Sequence, residues 1–133
     1  MVKQKATSDC FLACLAMVTD QDYEKMFNAK FCAKIESEHG VYGKDIEKAF
    51  DLAGLTSADY RSISIPLTIG TNGMLKVLLW GRRAILQVPS LNFENGHHAI
   101  FWTGEEVLDP SNKQVYHWLS GVNLEHVWIF EER

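Results

Sequence analysis

The strongest hydrophobic pattern in the chain runs from Cys10 to Thr19, Cys-Phe-Leu-Ala-Cys-Leu-Ala-Met-Val-Thr, and is apolar nearly all round. A helix without a polar face is one that is buried on every side. Ser8 or Asp9 can cap it, which leaves Cys10 within the first turn. Asp22 opens a second helix with Tyr23, Met26, Phe27 and Phe31 on its inner side, and Gly40 and Gly43 flank a turn at 41–44. From Lys44, the positions Ile46, Ala49, Phe50 and Ala53 recur at helical spacing until Gly54 stops the pattern. Thr71-Asn72-Gly73 predicts the start of a short helix from Met74 to Trp80.

The period then changes. Ala84 to Val88 is a compact buried strand ended by Pro89. His98 to Thr103 and Glu106 to Leu108 flank Gly104-Glu105 as a hairpin. Leu124 to Phe130 reads as a final strand, and Asp59 to Ile65 as a further one. Helices first and antiparallel strands later predict an α+β fold, with an N-terminal helical half packed on a C-terminal antiparallel sheet.

At 133 residues the expectation is a single domain over 1–133, large enough for a core without metal or disulfide staples. Hydrophobic residues at 47% and charged residues at 23% are ordinary globular values, and no repeat or low-complexity tract interrupts the chain. The net charge of -4, with Arg82-Arg83 as the only adjacent arginine pair, argues against nucleic acid as a partner. Met1-Val2-Lys3-Gln4-Lys5 leads straight into polar residues and does not read as a signal peptide. The run from Cys10 to Val18 is too short to span a bilayer, so no membrane partner is expected. Three cysteines, an odd number, do not form a disulfide framework. A reducing cytoplasm is the expected compartment, and it would keep Cys10 a thiol.

The candidate chemistry lies in four residues. Cys10 at a helix start meets unpaired N–H groups and the positive end of the helix dipole, which favour a thiolate and can hold an oxyanion. Cys14, one turn deeper, and Cys32 read as packing. His98 begins a strand, so a base there would be held rigidly. Alternation sends its neighbour His97 to the opposite face, and His98 is the chosen base. Asp109 follows the second hairpin strand, before Pro110, and pairing would return it near His98 to fix the tautomer. Gln4, six residues before Cys10, carries a neutral amide able to donate to a developing negative charge. Together these are the parts of a thiol hydrolase: nucleophile, base, orienter and oxyanion donor. A metal site from His97, His98, Asp109 and His117 lacks the usual ligand spacing, and no metal or cofactor is implied. His39 and His126 have no assigned role, and the four tryptophans are core or cleft-wall candidates.

The run Gln4-Lys-Ala-Thr-Ser-Asp9-Cys10-Phe-Leu-Ala-Cys-Leu-Ala-Met17 resembles the N-terminal motif of the bacteriocin-processing, double-glycine-type cysteine peptidases. His98-Ala-Ile-Phe-Trp, with Asp109-Pro110 eleven residues after His98, is similar to their His and Asp-Pro segments in the same order. The resemblance spans Gln4 to Pro110, with only general agreement from Tyr23 to Ser90. It implies a papain-like fold and a cysteine peptidase acting on a peptide or protein. Cys10 would be nucleophile, His98 base, Asp109 orienter and Gln4 oxyanion donor. Phe11 stands where the family usually has glycine, beside the nucleophile. Family members that trim export leaders are usually fused to a transporter, and a stand-alone protein is expected here instead. Deamidation or acyl transfer would use the same thioester chemistry, and a catalytically degenerate fold could serve as a binding or inhibitory module.

Overall fold

The computed structural model describes residues 10–37, 44–64, 79–89, 97–110, 114–116 and 124–131. Among them four helices precede six strands: α1 (Cys10–Thr19), α2 (Tyr23–Met26), α3 (Ala29–Ser37), α4 (Lys44–Leu52), β1 (Tyr60–Ser64), β2 (Ala84–Pro89), β3 (His97–Trp102), β4 (Val107–Asp109), β5 (Gln114–Tyr116) and β6 (His126–Phe130). The strands form one sheet in the order β1-β6-β2-β3-β4-β5, with every neighbouring pair antiparallel. The chain is therefore α+β, as the change of period predicts. None of the described helices is long and apolar enough to cross a membrane.

Helix α1 is the centre of the helical layer. Cys10 through Ala16 and Val18 are all buried, and the helix packs against β2 and β3 as well as against α2 and α4. That is why its sequence has no polar stripe. On the sheet, Ile85, Ala99, Phe101, Trp128 and Phe130 belong to the α1 side. The alternate positions Ala84, Leu86, Ile100, Trp102, Val127 and Ile129 build a second cluster on the other face. Both faces of the sheet are covered, so its strands read as near-continuous apolar runs.

Both ends of α1 are fixed. At its C-terminus Asp20 adopts φ 52°, and the N–H groups of Asp20 and Gln21 return to the carbonyls of Met17 and Ala16. This paired closure satisfies carbonyls that the helix cannot bond itself. The Arg83 guanidinium, just before β2, also donates from Nη1 to the Val18 carbonyl at 2.6 Å. A cation at the negative end of the helix dipole is favourable. The N-terminus is held at Cys10, by β3.

Two sequence expectations need amendment. The helix opening at Asp22 is two helices, because Phe27 turns extended after one turn and Asn28 starts afresh, its side chain accepting from the Phe31 N–H at 2.8 Å. Asn28 is thus an N-cap inside the expected run. Strand β2 continues through Pro89, which is paired opposite His97. Strand β5, at three residues, is too short for its alternation to be read. The turn at 41–43 and the segment 71–78 lie outside the described residues.

Replacing Arg83 by Met keeps the aliphatic stem and removes only the contact to α1. A loss of about 1–2 kcal/mol in urea unfolding is expected. Wild-type stability in this variant would show that the Val18 carbonyl needs no partner there.

Candidate active site

The hairpin β3–β4 explains the spacing between His98 and Asp109. Its register pairs Phe101 with Leu108 and Trp102 with Val107. That register stops at Phe101 and Leu108, and beyond it the chain still carries Asp109 back toward His98. The contact is made: His98 Nε2 lies 2.9 Å from Asp109 Oδ1. The carboxylate accepts a hydrogen bond from the Nε2–H, and this leaves Nδ1 as the nitrogen that can face a thiol.

Cys10 arrives from the other layer. The β3–β4 register runs through Phe101 and Trp102 and stops short of Ala99. The Ala99 N–H donates instead to Cys10 Sγ at 3.3 Å. The sulfur thus rests beside the backbone of the residue after His98, 89 positions away in sequence. The imidazole hydrogen-bonds Asp109 and has Cys10 beside it, near enough to help raise its pKa.

Electrostatics follow from this placement. Burial pulls the His98 imidazole down, but the hydrogen bonds to Asp109 and Cys10 and the negative charge of both partners outweigh it. The pKa is pushed up to about 9. His98 is therefore an imidazolium at neutral pH, beside a sulfur that also accepts a backbone N–H. Cys14, fully buried one turn further along, is pushed well above the ordinary thiol range, first by burial and then by the charges of Cys10 and Asp109. The two cysteines of α1 thus have opposite surroundings. All three cysteines are free thiols, and Cys32 sits near the Tyr23 hydroxyl, away from this cluster.

Of the four sequence candidates, Cys10, His98 and Asp109 come together. Gln4 lies outside the described residues, as do His39, His117 and the side chain of His97. Phe11 is buried, with edge-on contacts to Phe50 at 5.7 Å and Trp128 at 5.0 Å between ring centres. It is a core residue joining helix α4 to strand β6. Among the described residues no three His, Cys, Asp or Glu side chains gather as a metal-ligand set.

Two features escaped the sequence. The Ala99 N–H is a backbone group, and no residue type announces it. His126 bonds Ser62 Oγ through Nε2 at 2.6 Å and Ser64 Oγ through Nδ1 at 3.1 Å. That cluster depends on the β1–β6 register, which pairs Ser64 with His126 across 62 positions.

Two outcomes are expected. Because the folded-state pKa of His98 exceeds the ordinary value of about 6.5, its charged form stabilises the fold fully below that pH, and the contribution fades as pH rises through about 9. The His98 ring signals in NMR should titrate near pH 9 and move down in Asp109→Asn. The stability gap between these two proteins should be widest near pH 6 and narrow above pH 9; an unmoved titration would refute the pairing. Phe11→Ala should lower stability by about 3–4 kcal/mol in denaturant unfolding, and a loss under about 1 kcal/mol would mean that Phe11 is not a core residue.

The chain matches no protein-family model, no curated protein and no solved structure.

Proposed function

We propose that this chain is a thiol-dependent hydrolase of the papain-like kind, a cysteine peptidase acting on a peptide or protein substrate. The observation that carries the reading is the His98 Nε2–Asp109 Oδ1 contact of 2.9 Å, with Cys10 held by the Ala99 N–H beside the same histidine. A buried core thiol has no use for a charged histidine oriented by a carboxylate, whereas a nucleophile does.

The Cys10 thiolate attacks the carbonyl carbon of the bond to be cut, and the carbonyl oxygen takes up the negative charge. The N–H groups of the first turn of α1 would hold that oxyanion. Gln4 would add its side-chain amide, as the family resemblance implies. His98 gives its Nδ1 proton to the leaving nitrogen, the C–N bond breaks, and a thioester on Cys10 remains. Water then attacks the thioester carbon, losing a proton to His98 as the C–S bond breaks, and the thiolate–imidazolium pair is restored. Throughout, Asp109 holds the Nε2 proton, so the ring keeps Nδ1 toward the sulfur. Cys14 takes no part, since burial keeps it a neutral thiol.

The test is incubation with a complex peptide mixture, read by mass spectrometry. The wild type should cut peptide bonds. Cys10→Ala and His98→Ala should abolish cutting, and Asp109→Asn should slow it by roughly tenfold or more. Conversion of Asn or Gln side chains to acids without backbone cleavage would assign the same residues to deamidation. Identical products from wild type and Cys10→Ala would overturn the enzymatic reading.

A further inference from the structure

The registers of the sheet line up four residues in one row. Ser64 pairs with His126 between β1 and β6, His126 with Gln87 between β6 and β2, and Gln87 with Ala99 between β2 and β3. Directly opposed residues in antiparallel strands share a face. The next row inward is Ser62, Trp128, Ile85 and Phe101. Trp128, Ile85, Phe101 and Ala99 all belong to the cluster around α1, which identifies the face. Helix α1 begins at this end: Cys10 bonds the Ala99 N–H, and Phe11 rests on Trp128. The row Gln87, His126 and Ser64 therefore continues the sheet surface sideways from the nucleophile, just past the start of the helix.

The character of this row differs from the core behind it. Gln87 and His126 are half-buried, and Ser62 and Ser64 are exposed. Among the described residues the Gln87 carboxamide makes no hydrogen bond, although its backbone carbonyl accepts from the Glu125 N–H. His126 lies against the Trp128 ring, 4.4 Å between centres, and both its nitrogens meet serine hydroxyls. A rigid, uncharged group of hydroxyls and amide is thus set on an aromatic base. Burial lowers the His126 pKa, so the cluster is neutral at pH 7.

We propose that Gln87, His126, Ser62 and Ser64 form the substrate-binding surface beside Cys10, taking an extended polypeptide with an uncharged hydrogen-bonding side chain about three residues from the bond attacked. The proposal rests on the thiol-hydrolase reading and adds its specificity. Strands in a sheet are roughly 4.8 Å apart, so His126 is about 10 Å from Ala99 across the row, and an extended chain covers that in about three residues. Gln87 stands midway, where its free carboxamide can both donate to and accept from a substrate peptide group. The serine hydroxyls, which rotate to donate or accept, suit Ser, Thr, Asn or Gln in the substrate. A charged side chain would leave water for a row in which the described side chains, Gln87, His126, Ser62 and Ser64, offer no opposite charge, and is disfavoured.

Peptides carrying a central epoxysuccinyl group test this, because they can extend to either side of the electrophile. The thiolate opens the epoxide, the C–O bond breaks, and the alkoxide takes the His98 proton. On one side of the epoxide, Asn at the third residue should label Cys10 roughly tenfold faster than Leu or Asp there, a factor that one or two hydrogen bonds supply. Gln87→Leu, His126→Phe and the double variant Ser62→Ala/Ser64→Ala should each erase that preference. Glu105→Gln, in the turn at the opposite end of β3, should keep it. Labelling indifferent to the third residue on both sides, or a preference that survives all three changes, would overturn the surface while leaving the hydrolase intact. Labelling of Cys10 no faster than of Cys32, and unaltered in His98→Ala, would remove the hydrolase reading and this one with it.

Discussion

The site depends on where one helix stops. Helix α1 ends at Cys10 against the backbone of β3, and the Ala99 N–H closes on the sulfur at 3.3 Å. A shift of α1 by one residue would turn the thiol about 100° round the helix axis and lift it 1.5 Å along it, roughly what separates a nucleophile from a spectator. The fold resists that shift at both ends, with the Arg83 guanidinium on the Val18 carbonyl and a left-handed Asp20 closing the last turn. Between the ends, Leu12 and Leu15 are fully buried and Phe11 is wedged between Phe50 and Trp128. The apolar character of α1 therefore serves the polar site, because a helix gripped on all sides has one register.

A second consequence concerns charge. An imidazole as buried as His98 would ordinarily prefer to be neutral. It is charged because the hairpin delivers Asp109 to one nitrogen and α1 delivers Cys10 to the ring as well. Cys14 shows the reverse: the same side chain, one turn away on the same helix, is held as a neutral thiol by burial and by the anions beside it. Two cysteines four residues apart thus meet different surroundings: Cys10 takes the Ala99 N–H beside His98, and Cys14 is sealed in the core.

Much of this was legible in the sequence, and the parts that were not share a cause. The apolar run after Cys10 reads as a buried helix, and the Gly104-Glu105 hairpin with its eleven-residue spacing brings Asp109 back to His98. Both are local patterns, decided within a dozen residues. The break between α2 and α3 was missed because Phe27 and Phe31 fit one helical stripe, and only the side chain of Asn28 starts the chain afresh. Phe11 looked like an intrusion beside the nucleophile, whereas its partners are Phe50 and Trp128, far away in sequence. The Ala99 donor, and the alignment of Gln87 with His126, needed registers between distant strands, which residue types alone do not encode.

The proposed chemistry requires that His98 activates Cys10 across the contact between α1 and β3. Site-resolved alkylation with iodoacetamide at pH 6.5 tests it most directly, with Cys32 as an internal reference in the same molecule. The account predicts that Cys10 reacts roughly tenfold faster than Cys32 or more, and that the advantage disappears in His98→Ala. Equal rates at the two cysteines, or a Cys10 rate indifferent to the loss of His98, would contradict it.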